Sequence, residues 1–253
     1  MNSGLEPDRL LAMPQLEEKV AIITGAGSGI GKAIALAFGR EGARLVLASR
    51  KQRRLEKTAE EIGSADCLVM PTDVTREDEV IRLFETTLEK FGRVDILVNN
   101  SGAFDGGPLD ELPLETWQKV VDVNLTGPFL CSREAMKIMK RQGGGRIINV
   151  GSISAQVARA DSAPYVTTKH GLVGLTRATA LEGREFGVAA SCLHPGNVLT
   201  ERRDRSTTDV DQEPMMDTSE IAKAAVTMAA LHPDVNMLEA IVLPVKQHYL
   251  GRG

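Results

Sequence analysis

From Lys19 onward, short runs of β-branched and aliphatic residues alternate with longer segments of helical apolar spacing, and this rhythm constrains the fold more than any other feature. Lys19 to Thr24 reads KVAIIT, a strand pattern that ends on a glycine cluster. Ile30 to Arg40 follows, with Ile30, Ile34, Ala37 and Phe38 on one helical side. Arg44 to Ala48 is a second strand, Gln52 to Ile62 a polar helix, and Cys67 to Met70 a third strand. Glu77 to Phe91 is an amphipathic helix carrying Val80, Ile81, Phe84, Leu88 and Phe91, and Val94 to Val98 is a fourth strand. A helical stretch then runs from about Leu114 to Arg141, before a strand at Arg146 to Val150 and a helix at Tyr165 to Phe186. Val188 to Leu193 is a strand, and a last helix (Ser219 to Leu231) and strand (Leu238 to Leu243) complete the pattern.

Strand–helix–strand units of this length close as right-handed crossovers. The expected fold is α/β, a single doubly wound parallel β-sheet of Rossmann type flanked by helices. Ligands bind such sheets at the carboxyl ends of the strands, where strand order reverses. No break in composition marks a second domain, so residues 17–253 read as one domain behind a flexible lead-in at residues 1–16. Apolar residues at 42% supply a substantial core, and a net charge of −4 leaves no basic footprint for nucleic acid. No run approaches the roughly 18 consecutive apolar residues that span a bilayer. The first residues also lack the basic start and apolar stretch of a signal peptide. Cys67, Cys131 and Cys192 are far apart, without metal-ligand spacing, and read as core residues in a reducing, cytoplasmic setting. His170, His194, His232 and His248 show no metal-binding spacing either, so no metal is expected. His194 alone, just before Pro195-Gly196, stands where it can support a site.

The turn between the first strand and helix reads Thr24-Gly25-Ala26-Gly27-Ser28-Gly29-Ile30-Gly31. A phosphate at a helix N-terminus needs close backbone approach and free N–H donors, which glycine permits. The spacing is T-G-x-x-x-G-x-G on Gly25, Gly29 and Gly31, not G-x-G-x-x-G, because position 30 is Ile30. Set between an apolar strand and a helix, it marks a dinucleotide site. An NAD site places an acid at the end of the second strand, about 20 residues past the glycines, to bind the ribose 2′-hydroxyl. Here that end reads Ala48-Ser49-Arg50-Lys51. Ser49 can donate to a 2′-phosphate and Arg50 can pair with it, so NADP(H) is preferred and NAD(H) is the alternative. The plainer role of Arg50 and Lys51 is as solvated charges at the start of a helix.

Only two tyrosines occur, and Tyr165 is followed by Lys169 at i+4, on the same face of a helix. An ammonium beside a phenol favours its ionised form, which is what a group that gives and takes a proton near neutral pH requires. Ser152 lies just past the carboxyl end of the strand Arg146 to Val150. Its hydroxyl can hydrogen-bond a carbonyl oxygen and stabilise charge developing there. Ser154 stands close enough to take that place, and a helix or turn cap is the structural alternative for Ser152. No G-x-S-x-G elbow is present, which argues against a hydrolase.

Taken in order, the turn at Thr24 to Gly31, Asn99-Asn100-Ser101-Gly102, Asn124, Ser152 and the Tyr165/Lys169 pair resemble the short-chain dehydrogenase/reductase family. The resemblance extends from about Lys19 to Leu243. It implies that Gly25, Ser28, Gly29, Ile30 and Gly31 line the pyrophosphate and adenosine ribose, and that Asp73 and Val74 hold the adenine. Asn100 and Gly102 belong to the motif that shapes the floor between adenosine and nicotinamide; Ser101 stands where the family usually has alanine. Asn124 is implied to hold a water that relays protons from Lys169, which also binds the nicotinamide ribose. The loop Pro195-Gly196-Asn197-Val198-Leu199-Thr200 is implied to meet the nicotinamide carboxamide through Val198 and Thr200. The implied chemistry is hydride transfer between nicotinamide and a small-molecule carbonyl or alcohol, with Ser152 polarising the carbonyl and Tyr165 supplying the proton. Family members are usually homodimers or homotetramers, packed through the helices bearing Asn124 and Tyr165.

Substrate choice is expected in residues 201–217, which read equally as a lid or as a solvated loop. Arg202, Arg203 or Arg205 there are candidates to meet a substrate carboxylate or phosphate. The tail from His248 to Gly253 is a candidate to complete a neighbouring subunit's pocket. Two rival functions stand beside the oxidoreductase: a non-catalytic NADP(H)-binding sensor or scaffold, and epimerase or lyase work.

Overall fold

The computed structural model describes residues 14–63, 66–201 and 213–249. Seven strands form one sheet: β1 (Val20–Thr24), β2 (Arg44–Ser49), β3 (Cys67–Pro71), β4 (Ile96–Asn99), β5 (Gly145–Val150), β6 (Val188–Pro195) and β7 (Glu239–Val242). Their order is β3-β2-β1-β4-β5-β6-β7, and every neighbouring pair is parallel. The helices are α1 (Gly29–Arg40), α2 (Gln52–Ile62), α3 (Glu77–Phe91), α4 (Leu114–Val121), α5 (Gly127–Gln142), α6 (Ala163–Gly183) and α7 (Thr218–Ala230). The expected doubly wound parallel sheet is therefore the observed fold.

Side chains along a strand alternate between faces, and a sheet covered on both sides needs apolar residues at every position. Ala21 and Ile23 of β1 pack into a core with Ile34 and Phe38 of α1, Leu55 of α2 and Ile221 and Ala225 of α7. Ile22, between them, enters a second core with Val80, Leu83 and Phe84 of α3 and Leu130 and Met139 of α5. Two cores on one sheet explain why the strands read as continuous apolar runs. α3 also carries Glu77, Asp78 and Glu79 in its first turn and Lys90 in its last, matching the helix dipole.

Three expectations change. Leu16, expected in the lead-in, is fully buried against the first core and donates its N–H to the Glu41 carbonyl at 2.9 Å. Residues 1–13 lie outside the described residues. The helical stretch expected from Leu114 to Arg141 is present without a gap, and it widens to a π-helical turn at Asp122–Thr126, which holds Asn124. The helix expected at Tyr165 to Phe186 starts at Ala163 and closes with a separate 3₁₀ turn at Arg184–Phe186.

No helix among the described residues is long and apolar enough to cross a membrane. All three cysteines are free thiols. Burial pushes the Cys131 thiol up to about 12 and those of Cys67 and Cys192 up to about 11, so packing rather than thiolate chemistry accounts for them.

Candidate active site

Strand order reverses between β1 and β4, and the site opens where both end. Thr24, last residue of β1, accepts the N–H groups of Asn100 and Ser101 on its hydroxyl, each at 3.0 Å. Asn100 returns its side-chain amide to the Thr24 carbonyl at 3.0 Å. The glycine turn is thus bolted to the end of β4. Gly25 has a φ of +67°, which disfavours any other residue. Gly31 is needed for a different reason: a Cβ there would lie 2.3 Å from Asn100 Nδ2 and 2.5 Å from the Gly25 carbonyl oxygen. At the start of α1 the Gly29 N–H donates to a carboxylate oxygen of Glu201 at 3.0 Å. This turn therefore offers an N–H to an anion, as a phosphate cradle must.

A cavity of about 1410 Å³ runs from the turn to the end of β5. Ser28, Gly29, Ile30, Asn100, Gly102, Ser152, Tyr165, Lys169, Pro195, Gly196, Val198 and Thr200 line it. A smaller groove of about 290 Å³ continues over the ends of β2 and β3, lined by Gly25, Ser28, Ser49, Arg50, Asp73, Val74 and Gly102. Of the catalytic and cofactor-binding candidates, Gly31 and Asn124 line neither. Gly31 backs the turn. Asn124 is buried behind the cavity wall, accepting the Ala103 N–H at 2.7 Å and donating to the Ala103 carbonyl at 2.9 Å. Its amide also donates to Thr168 of α6 at 3.3 Å, so one asparagine joins the loop after β4 to the helix that bears Tyr165. Asn124 is the buried residue of the π-helical turn.

Tyr165 and Lys169 project from the first turns of α6. The Lys169 ammonium is buried, donates to the Val150 carbonyl at 2.8 Å and sits 5.5 Å from the centre of the Tyr165 ring. Phe104 meets the same ring edge-on at 5.0 Å. Ser152 does cap a short 3₁₀ turn, accepting the Ser154 N–H at 3.1 Å, while its side chain still lines the cavity. Ser154, the alternative hydroxyl, is buried and lines it too.

His194 supports the site, as its place before Pro195-Gly196 suggests. Its fully buried ring places Nδ1 3.0 Å from the Ser152 carbonyl oxygen, fixing the backbone that presents the serine. Nε2 has no hydrogen-bond partner among the described residues, and the Glu239 carboxylate stays 3.8 Å away. Burial holds the imidazole below its ordinary value of 6.5, so it is neutral in the fold. The unfolded chain binds a proton as pH falls through about 6.5, and the native ring does so only at lower pH. The stabilisation from a neutral His194 is therefore full above about 6.5 and declines below it. Denaturant titrations should show wild-type stability falling more steeply between pH 6.5 and 5 than that of His194→Asn. Equal slopes would refute this.

Sequence reasoning missed several residues of the cavity. Arg54, one turn into α2, lines both cavity and groove, and Lys57 lines the cavity. Their position one and two helical turns beyond Arg50 is the available signal. Phe104 and Arg159 have no local signal, and Glu201 opens the segment in which substrate choice is expected. At the far wall, Gln247 is buried and accepts the Asn197 N–H at 2.8 Å, bracing the loop after β6. The tail packs on its own chain as far as described, with the Tyr249 hydroxyl donating to Gln156; residues 250–253 lie outside the described residues. So do residues 202–212, with Arg202, Arg203 and Arg205. Of the expected substrate loop, Met216 pairs with Val198 and Glu213 accepts the Asn197 amide at 2.7 Å. Among the described residues no cluster of metal-ligating side chains occurs.

The chain matches the family model for short chain dehydrogenases over residues 19–211. It is 38% identical over 188 residues to the uncharacterized oxidoreductase YxjF of Bacillus subtilis, covering 74% of this chain and 73% of that protein. It is 36% identical over 207 residues to a 3-oxoacyl-[acyl-carrier-protein] reductase of Synechocystis, covering 81% and 82%. Among solved structures it resembles a single-residue variant of the actinorhodin polyketide ketoreductase with NADPH, at a TM-score of 0.83 and 31% identity, covering 91% of this chain and 97% of that one. A glycine turn and a Tyr/Lys helix on one cavity, in a chain matched over this length, have one reading: the protein belongs to the short-chain dehydrogenase/reductase family of oxidoreductases.

Proposed function

We propose that the protein is an NADP(H)-dependent oxidoreductase that interconverts a ketone or aldehyde with its alcohol, using Tyr165 as general acid and base. The observation that carries this is the convergence of Ser152, Tyr165 and Lys169 on the cavity that begins at the glycine turn. The dinucleotide, when bound, supplies or accepts the hydride. Gly25, Ser28, Gly29, Ile30 and Gly31 form its phosphate cradle, with Asp73 and Val74 at the adenine end and Pro195 to Thr200 at the nicotinamide end. Ser152 orients the carbonyl oxygen by hydrogen bonding. Tyr165 gives that oxygen a proton, or takes one from the alcohol. Lys169 stabilises the phenolate through its buried charge, and Asn124 takes the role the resemblance implies, holding the water that returns a proton to Lys169. A sensor or scaffold has no use for this constellation.

Preference for NADP(H) rests on the end of β2, where Ser49 and Arg50 replace the expected acid and Arg54 joins them on the groove. Three free cysteines fit a cytoplasmic location. Leu114, Phe129 and Leu181, exposed on α4, α5 and α6, support a homodimer or homotetramer.

The test follows nicotinamide absorbance with a panel of carbonyl compounds, comparing NADPH with NADH and using Tyr165→Phe as the blank. NADPH should be consumed by the wild type alone. Arg50→Ala and Arg54→Ala should each weaken NADPH binding about tenfold and leave NADH binding unchanged. Tighter binding of NADH, with both variants silent, would overturn the cofactor assignment. Light scattering on the same preparations should give the mass of two or four chains.

A further inference from the structure

Among the described residues, the cavity ends in one cation without an ion pair. Arg159 lies in the segment between Ser152 and Tyr165 and lines the cavity with both. Its backbone is pinned: Ser162, itself buried, donates its hydroxyl to the Arg159 carbonyl at 2.9 Å. The neighbouring Asp161 takes a left-handed φ of +54°. The loop after β4 closes on it so tightly that a Cβ on Gly106 would lie 2.0 Å from the Asp161 carbonyl oxygen. Conformational strain of this kind persists where surrounding contacts over-determine it. The side chain reaches the other wall, with Nη2 3.5 Å from the Asn197 Oδ1. That is a marginal contact with a neutral amide, and it leaves most of the guanidinium's donors available.

The other charges of the cavity are engaged or distant. Lys169 donates to Val150, Lys32 is paired with Glu61, and Glu201 sits on the Gly29 N–H. Arg54 and Lys57 belong to the opposite end, beside the glycine turn. Arg159 forms no ion pair among the described residues, and Asn197 turns its NH₂ to Glu213, keeping its oxygen toward the guanidinium. The hydroxyls of Ser152 and Ser154 and the ring of Phe104 complete this end.

A single guanidinium beside neutral hydroxyls suits a planar monoanion that it can grip bidentately; a dianionic phosphate calls for more than one cation. We propose that Arg159 is the specificity-determining residue of the site and binds the carboxylate of an oxo acid, or of the corresponding hydroxy acid, whose carbonyl or alcohol faces Tyr165 and Ser152. This rests on the oxidoreductase reading for the orientation of the substrate, but not for the binding of the acid. It also moves anion recognition from the loop arginines expected in sequence to a residue on the cavity wall.

The experiment measures binding of short oxo and hydroxy acids, and of their methyl esters, to the protein–NADP⁺ complex by calorimetry. Turnover of the same compounds with NADPH or NADP⁺ is measured in parallel. Wild type should bind at least one acid more tightly than its ester. Arg159→Ala should weaken the acid about 10- to 100-fold, leave the ester unchanged and act on KM rather than kcat. Arg159→Lys should recover part of the loss, which a merely structural role would not allow. Esters bound as tightly as acids, or acids bound equally by wild type and Arg159→Ala, would overturn the proposal. If neutral carbonyls turn over in a Tyr165-dependent way while acids ignore Arg159, this proposal fails and the oxidoreductase reading stands. If acids bind through Arg159 without Tyr165-dependent turnover, the carboxylate site stands and that reading fails.

Discussion

Tyr165→Phe should lower kcat by about 10²- to 10⁴-fold, the span attributed to a positioned proton donor, with NADPH affinity within about twofold of wild type. The packing explains why the two effects separate. Phe104 touches the Tyr165 ring at 5.0 Å, and the Lys169 ammonium lies 5.5 Å from its centre. Both contacts are made to the ring, which phenylalanine retains. Lys169 is held independently by the Val150 carbonyl, so its position survives the substitution. Only the exchangeable proton is removed. Single-turnover absorbance measurements with saturating NADPH report the chemical step, and fluorescence titration reports cofactor binding. Wild-type turnover in the variant would sink the assignment of Tyr165 as proton donor. A loss of binding equal to the loss of rate would instead make the residue structural.

Gly31→Ala should abolish measurable NADPH binding and lower stability by about 1–3 kcal/mol, the usual cost of overpacking a tight contact. One methyl group does this because of what it meets. It would lie 2.3 Å from Asn100 Nδ2 and 2.5 Å from the Gly25 carbonyl oxygen. Asn100 cannot swing away without giving up its bond to the Thr24 carbonyl, and Gly25 is main chain inside the turn. The relief available is to lift α1 off the turn, which takes the Gly29 N–H out of the cradle. Adding Asn100→Ala removes one obstacle and leaves the other, so the double variant should remain unable to bind. Thermal unfolding and calorimetry with NADPH check both parts. A Gly31→Ala protein with wild-type affinity and stability would show that α1 does not need this approach.

Features legible in the sequence share one property: their meaning lies within a few residues. The apolar run of β1, the glycine spacing after it and the i, i+4 relation of Tyr165 to Lys169 express the periods of strand, turn and helix. Those periods follow from backbone geometry wherever the chain adopts it. Features that are not legible join segments far apart. The partner of His194 is Ser152, 42 positions away, Gln247 braces Asn197 across 50, and Glu201 meets Gly29 across 172. Arg50, singled out for its place after β2, shares its groove with Arg54, because the α2 backbone turns the later side chain toward the same opening. Asn124 is found by resemblance, yet the π-helical turn that holds it carries no recognisable signal.

The sequence alone determined the doubly wound sheet, the glycine turn after β1 and the Tyr165/Lys169 pair, since local spacing and burial demand suffice for each. The tertiary structure decided which distant side chains share the cavity. Strand order β3-β2-β1-β4-β5-β6-β7 brings the loops after β4, β5 and β6 to one edge. That juxtaposition places Phe104, Arg159 and Asn197 on one cavity. No local pattern encodes it, because a residue's neighbours across a sheet depend on which strands pair and not on its own surroundings in the chain.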